Sequence, residues 1–250
     1  MKLLASDWDN TLRRHGTVSK ADLEAIRKFR EQHCFGIVTG RSVGMIVNEL
    51  DHYGVEVDFL IGTNGAVITD GAWKLLERKD IELSSAKRLI EALRGMPEVM
   101  FGISDGDRFG TIQSAVVEPG DELVGIVEDD PQEILDRGVV NSFYIRSSSD
   151  EKTWALYHWL TREFGDSMTF HYNKTIDASA KGVDKAEGVR ECRRLMGADE
   201  VFVIGDSYND LSMIEALNGF AVSNACADVR AKASRVFEGL ADCIAWILAE

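Results

Sequence analysis

The chain has 250 residues, a formal net charge of −14 from 42 acidic and 28 basic residues, and an apolar share of 45%. That charge repels nucleic-acid backbones and anionic membranes, which excludes both as partners, and any site for a phosphorylated ligand must carry its own local positive charge. With 3 prolines and 4 scattered cysteines (Cys34, Cys192, Cys226, Cys243), the composition argues against long disordered linkers, a disulfide framework or a zinc site.

The first predicted element is the apolar run Leu3-Leu4-Ala5, which ends at Ser6 and Asp7. Lys2 and three apolar residues are too short for a signal peptide, and no apolar run approaches the ~18 residues of a membrane span. A cytoplasmic protein is therefore expected, as a monomer or a homodimer. Ser19 caps a predicted helix, with Asp22 three residues on and Leu23, Ile26 and Phe29 on one face. Phe35–Val38 is the second buried run and leads to Thr39-Gly40-Arg41. Ser42 caps the next helix, with Val43, Ile46, Val47 and Leu50 at helical spacing. Phe59–Ile61 leads to Gly62-Thr63-Asn64-Gly65. Later in the chain, Asp184 caps a helix carrying Ala186, Val189, Leu195 and Met196, and Val201–Ile204 leads to Gly205-Asp206. Leu211, Ile214 and Leu217 follow as a helix, and Phe220–Val222 is a last buried run. Unbroken runs of this length suit strands buried on both faces, and their alternation with helices predicts a doubly wound α/β domain with a parallel, Rossmann-like sheet.

The middle of the chain follows another pattern. A helix from Ser84 precedes strand-like Val99–Ser104 and Arg108–Ile112. A short Pro131–Asp136 helix leads to Ser142–Arg146. A longer helix over Glu151–Phe164 precedes Met168–Tyr172 and Thr175–Asp177, which form a predicted hairpin around Asn173-Lys174. Helices with paired antiparallel strands predict an inserted α+β cap domain over 81–176, leaving 1–80 and 177–250 as the core domain.

Four sites carry the candidate chemistry. Asp7 and Asp9 stand two residues apart just past a buried strand, where two anions are costly unless a cation or a shared proton settles their charge. The Thr39 hydroxyl and the N–H groups of Gly40 and Arg41 suit an anion at a helix start. Asp206 and Asp210, at i and i+4 with Asn209 between them, resemble a hard-cation site built on oxygen. Lys185 falls in the first turn of its helix, where the dipole disfavours a cation unless it points into a carboxylate-rich site; Lys181 competes for that role.

In this order and placement, Asp7-x-Asp9-x-Thr11, Thr39, Lys185 and Gly205-Asp206-x-x-Asn209-Asp210 resemble the four signatures of the haloacid dehalogenase superfamily. The insertion looks like its type IIB cap, and Gly62–Ala66 resembles the turn before the cap in the Cof-like phosphatase branch. Asn10 stands where many phosphatases of the family have Gly, a change a turn tolerates. The resemblance implies a phosphatase acting on a small phosphorylated metabolite, with a sugar phosphate the expected class. Asp7 would be the nucleophile and Asp9 the general acid/base. Mg²⁺ would be held by Asp7, the Asp9 backbone carbonyl and Asp206, with Asp210 supporting it through water or a neighbouring contact. Thr39, Gly40, Lys185 and Asn209 would form the phosphate-binding set, with Asn209 orienting Lys185 or a carboxylate. Asn64, Arg146, His171 and Lys174 are candidate substrate contacts. Trp8 is expected to wall the entrance, and Trp154, Tyr157 and Trp159 to pack in the cap core. A phosphomutase of the phosphomannomutase type is the near alternative, although a mutase favours a cluster of cap arginines that Arg88, Arg94, Arg108, Arg137, Arg146 and Arg162 do not evidently form. A non-catalytic phosphoacceptor module is the other class; it needs neither Asp9 nor a large lid.

Overall fold

The computed structural model describes residues 1–115 and 129–250. Its larger sheet contains β1 (Lys2–Ser6), β2 (Cys34–Val38), β3 (Phe59–Gly62), β4 (Val67–Asp70), β5 (Leu75–Arg78), β11 (Glu200–Gly205), β12 (Phe220–Val222) and β13 (Arg235–Phe237), in the order β13-β12-β11-β1-β2-β3-β4-β5. All neighbours are parallel except β3–β4 and β4–β5, which form an antiparallel edge. Helices α1 (Lys20–Arg30), α2 (Val43–Tyr53), α6 (Lys185–Met196), α7 (Leu211–Ala216), α8 (Ala227–Lys232) and α9 (Leu240–Ala249) belong with this sheet.

β2 and β3 are buried along their whole length and β1 from Leu3 to Ser6, as their apolar runs require. Leu3, Leu4, Phe35, Ile37, Phe59 and Leu60 are inaccessible to solvent, and each contributes about 1.5–3 kcal/mol of burial. From β1 the chain winds to one side through β2 and β3, and β11 lies on β1's other side. That reversal of winding opens a crevice at the carboxyl ends of β1 and β11, where ligands bind in such sheets. Asp7 and Asp206 are the residues that follow those two strands.

The second sheet is wholly antiparallel. It contains β6 (Val99–Ser104), β7 (Phe109–Gln113), β8 (Ser142–Ser147), β9 (Met168–Tyr172) and β10 (Ile176–Ala180), in the order β7-β6-β8-β10-β9. It is accompanied by α3 (Leu83–Arg94), α4 (Pro131–Asp136) and α5 (Asp150–Phe164). Phe101, Ile103, Phe143, Ile145 and Ile176 pack with Leu89, Leu93 and Leu160 in a hydrophobic cluster separate from that of the larger sheet. The period of two sends Ser142, Tyr144 and Arg146 to the opposite face, and Asp177, paired with Tyr144, joins them. Because β10 belongs to this sheet, the sheet runs on to Ala180, past the expected boundary at Ile176. The loop after β6 rests on the start of α2, where Val43 N–H donates to the Gly106 carbonyl at 3.0 Å.

Two expectations about aromatic residues are corrected. Trp8 is fully buried in the larger core rather than at an entrance, because its indole Nε1 finds a partner there, Glu49 Oε2 at 2.7 Å. Trp154 is 47% exposed rather than core, held on the surface by ring contacts with Tyr157, His158 and Tyr172.

Candidate active site

The loop after β11 is shaped by Asp210. Its Oδ2 accepts the backbone N–H groups of Asp206 at 2.9 Å and Ser207 at 3.0 Å, capping the turn that starts α7. Gly205 permits this approach, because a Cβ there would lie 2.5 Å from Asp210 Cγ. Asp210 Oδ1 meets the Lys185 ammonium at 2.5 Å, and the same ammonium donates to Asp7 Oδ1 at 2.7 Å. Asp184 caps α6 by accepting Glu187 N–H at 2.8 Å, which places Lys185 at the first helical position, facing inward. Lys181 instead bonds the Gly165 carbonyl away from this cluster. Asp206 Oδ1 accepts from the buried Thr11 hydroxyl at 3.3 Å, and Asn10 adopts the left-handed conformation (φ 59°) its turn requires.

Asp7, Asp206 and Asp210 thus converge, each offering an oxygen within 4.8 Å of the others. The electrostatics are unbalanced, with three buried carboxylates against one ammonium. Burial, then repulsion from Asp210 and Asp206, pushes the Asp7 carboxyl well above the carboxylate range against the pull of Lys185. Asp206 is pushed up to about 7, first by burial and then by Asp210. Burial opposes the charge on Lys185, but Asp210 and Asp7 outweigh it and raise its pKa. An all-oxygen cluster in which carboxylates compete for protons is suited to a hard divalent cation. Both Asp210 oxygens are already engaged, so Asp7 and Asp206 are the better placed to hold one.

Asp9 has different company. Arg41 grips it with both Nε (2.8 Å to Oδ2) and Nη2 (2.7 Å to Oδ1), and Arg13 Nη2 adds a contact at 2.6 Å. Glu49 holds the far side of both arginines, with Arg41 Nη1 at 2.7 Å and Arg13 Nε at 3.4 Å. The Arg41 backbone N–H, the group its motif suggests, donates to Thr39 Oγ1 at 3.2 Å. Asp9 and Arg13 are local i,i+4 neighbours, but Arg41 and Glu49 reach them only through the fold, so the full side-chain clamp carries no local signal.

Between the two sheets lies a cavity of about 1030 Å³, lined from the larger sheet by Asp7, Asp9, Thr39, Gly40, Asp206 and Asn209, and from the smaller by Tyr144, Arg146, Lys174 and Asp177. Ser42 also lines it; the side chain occupies the helix N-cap position but makes no cap bond, and its buried Oγ has no partner among the described residues. Asn209 does not reach Lys185: its amide accepts from Ser207 Oγ at 2.8 Å and donates to Asn64 Oδ1 at 3.3 Å. Asn64 is buried behind the cavity wall and donates to Asp177 Oδ2 at 2.9 Å. His171 is not among the lining residues, and its Nε2 lies 3.0 Å from Ser179 Oγ. The sequence gives no signal for Asp177, because one acid on a short strand has no pattern. Its side chain approaches Gly40, whose Cβ would lie 3.0 Å from Asp177 Oδ2.

A family model of haloacid dehalogenase-like hydrolases matches residues 4–242. The chain is 26% identical to a 5-amino-6-(5-phospho-D-ribitylamino)uracil phosphatase, YcsE, of Bacillus subtilis, over 99% of this chain and 96% of that protein. It is 27% identical to another phosphatase of that description, YbjI, of Escherichia coli, with the same coverage. Among solved structures, a haloacid dehalogenase-like hydrolase from B. subtilis superposes with a TM-score of 0.82 at 21% identity, covering 98% of this chain and 99% of that one. A subclass IIB sugar phosphatase of the superfamily superposes at 0.80, also at 21% identity, over the whole of both chains. These structural likenesses establish the fold. Among the described residues, no helix is long and apolar enough to cross a membrane.

Proposed function

The chain belongs to the haloacid dehalogenase-like hydrolase family, and within it we propose a Mg²⁺-dependent phosphatase that cleaves a small phosphorylated metabolite through an aspartyl-phosphate on Asp7. The observation that carries this reading is the buried cluster of Asp7, Asp206, Asp210 and Lys185, of which Asp7 and Asp206 line a cavity large enough for a metabolite.

Asp7 and Asp206, with the Asp9 backbone carbonyl, would hold the cation, and Asp210 would orient Lys185 and the Asp206 loop. A bound Mg²⁺ would neutralise the carboxylates and the substrate phosphate enough for an anionic nucleophile to approach an anionic ester. Lys185, the Thr39 hydroxyl and the Gly40 N–H would offset charge on the phosphoryl oxygens. An Asp7 oxygen attacks phosphorus, the bond from phosphorus to the leaving oxygen breaks, and Asp9 gives that oxygen its proton. Asp9 then takes a proton from water, the water oxygen attacks the same phosphorus, and the bond to Asp7 breaks to release inorganic phosphate. To act in this way Asp9 must exchange part of its hold on Arg41 and Arg13 for the leaving oxygen.

The wall bearing Ser42, Ser104, Ser142, Tyr144 and Asn173 is rich in hydroxyl and amide groups and suits a sugar or polyol phosphate. The ribityl phosphate substrate named for the two curated relatives belongs to that class. Among the cap arginines named above, only Arg146 lines the cavity, which favours hydrolysis over mutase chemistry. The test is release of inorganic phosphate from a panel of sugar and polyol phosphates and from p-nitrophenyl phosphate, with Mg²⁺ or with chelator. Chelator is expected to abolish turnover, and Asp7→Asn to lower kcat by about 10³-fold or more while the fold persists. An Asp7→Asn enzyme turning over at the wild-type rate would remove the nucleophile assignment.

A further inference from the structure

Arg146 sits at the end of β8 on the face that closes the cavity, with its side chain only 9% exposed. A buried guanidinium is costly unless its five donors find acceptors. Here Nη2 reaches Asp150 at 3.3 Å, a long contact to a carboxylate that is itself 48% exposed. Nε is buried with no partner among the described residues. On β8, Phe143 and Ile145 pack in the cap core, and Ser142 and Tyr144 line the cavity beside Arg146.

Lys174, at the tip of the β9–β10 hairpin, lines the same wall. Of the carboxylates on that wall, Asp177 accepts from Asn64, and Asp150 accepts the long contact from Arg146. Arg13 and Arg41, the other cavity arginines, are occupied by Asp9 and Glu49. The cap side of the cavity therefore holds two cations against two carboxylates, and the Arg146 Nε is a donor there that the proposed phosphate site near Asp7 does not use.

We propose that the substrate carries a second anionic group, a carboxylate or a second phosphate, at the end remote from the scissile ester, and that Arg146, aided by Lys174, binds it. Arginine is suited to this task because its fork meets a carboxylate or phosphate through two parallel hydrogen bonds. The inference rests on the phosphatase reading for the identity of the first phosphate, and it names the specificity residue that reading lacks.

The experiment compares three esters of similar size in the presence of Mg²⁺: 6-phosphogluconate, with a remote carboxylate; glucose 1,6-bisphosphate, with a remote phosphate; and glucose 6-phosphate, with no second anion. Wild-type kcat/KM is expected to favour at least one of the first two over the third by about tenfold or more, and which one identifies the anion. Arg146→Gln should bring that ratio close to one, mainly through KM, and Arg146→Lys should retain part of it. A wild-type enzyme with no preference for either doubly anionic ester overturns the proposal, as does an Arg146→Gln enzyme that keeps the preference. Calorimetric binding of the same esters to the Asp7→Asn protein reads the subsite without turnover. A preference there with no hydrolysis of any ester, p-nitrophenyl phosphate included, would retain the subsite and reject the phosphatase.

Discussion

Asp177 and His171 are direct partners across β10 and β9, and burial drives them in opposite senses. It raises Asp177 from 3.8 to about 6, against the opposing Asn64 hydrogen bond and Lys185 charge. It lowers His171 from 6.5 to about 4, helped by the nearby charge of Lys185. The sign of each contribution follows from which state holds the proton. Folded Asp177 keeps a proton that the unfolded chain has lost, so its contribution is present near pH 4 and is lost as pH rises to about 6. Folded His171 lacks a proton that the unfolded chain binds, so its contribution is present above pH 6.5 and is lost as pH falls toward 4. The two oppose each other across one window, each by at most about 3 kcal/mol at 1.36 kcal/mol per pKa unit. Urea unfolding between pH 4 and 7 should expose them separately. Asp177→Asn should gain about 1–3 kcal/mol relative to wild type at pH 7 and little at pH 4, and its stability should rise with pH across the window. His171→Gln should show the reverse slope. Matching slopes in the Asp177→Asn variant and the wild type would show that Asp177 does not hold its proton in the fold.

At the scale of elements, the site depends on how closely α6 approaches the turn after β3. A Cβ on Gly188 would lie 2.6 Å from Gly65 Cα and 2.9 Å from Ile61 Cγ2, and Gly65 itself (φ +105°) faces the Asp184 carbonyl. This contact seats the first turn of α6 deeply enough for Lys185 to reach Asp7 and Asp210. Gly188→Ala gains about 1 kcal/mol of helix propensity but must move backbone, and overpacking of that kind costs about 1–3 kcal/mol. The expected outcome is a lower Tm together with a loss of more than about tenfold in kcat. A variant more stable than wild type with undiminished kcat would show that the helix can shift without disturbing Lys185. None of this proximity is written in the sequence around Gly188. The sequence does announce the buried parallel strands, the caps at Ser19 and Asp184, and the loops after β1 and β11, because burial on both faces and capping impose local residue choices. It is silent where structure is short and half-exposed, as at the β4–β5 edge and β13, whose Leu75–Arg78 and Arg235–Phe237 show no clean alternation. It is equally silent on how Arg41 and Glu49 close on the local Asp9–Arg13 pair, since those two halves meet only after the sheet has formed.

Over the whole molecule, two hydrophobic cores face each other across the cavity, and a net charge of −14 surrounds it. Within the cavity, Arg13, Arg41, Arg146 and Lys174 are opposed by Asp7, Asp9, Asp150, Asp177 and Asp206, so the lining itself does not reverse the sign of the field. An anionic substrate therefore approaches uphill until it reaches the cation and the inner donors. Screening lowers that barrier, since the Debye length falls from about 30 Å at 0.01 M salt to about 8 Å at 0.15 M. With Mg²⁺ saturating throughout, kcat/KM for a phosphate ester should rise about two- to fivefold over that range, with little change in kcat, because encounter is screened and chemistry inside the closed site is not. A fall in kcat/KM with added salt would mean that the local field of the four basic residues reaches beyond the cavity mouth and outweighs the acidic surface.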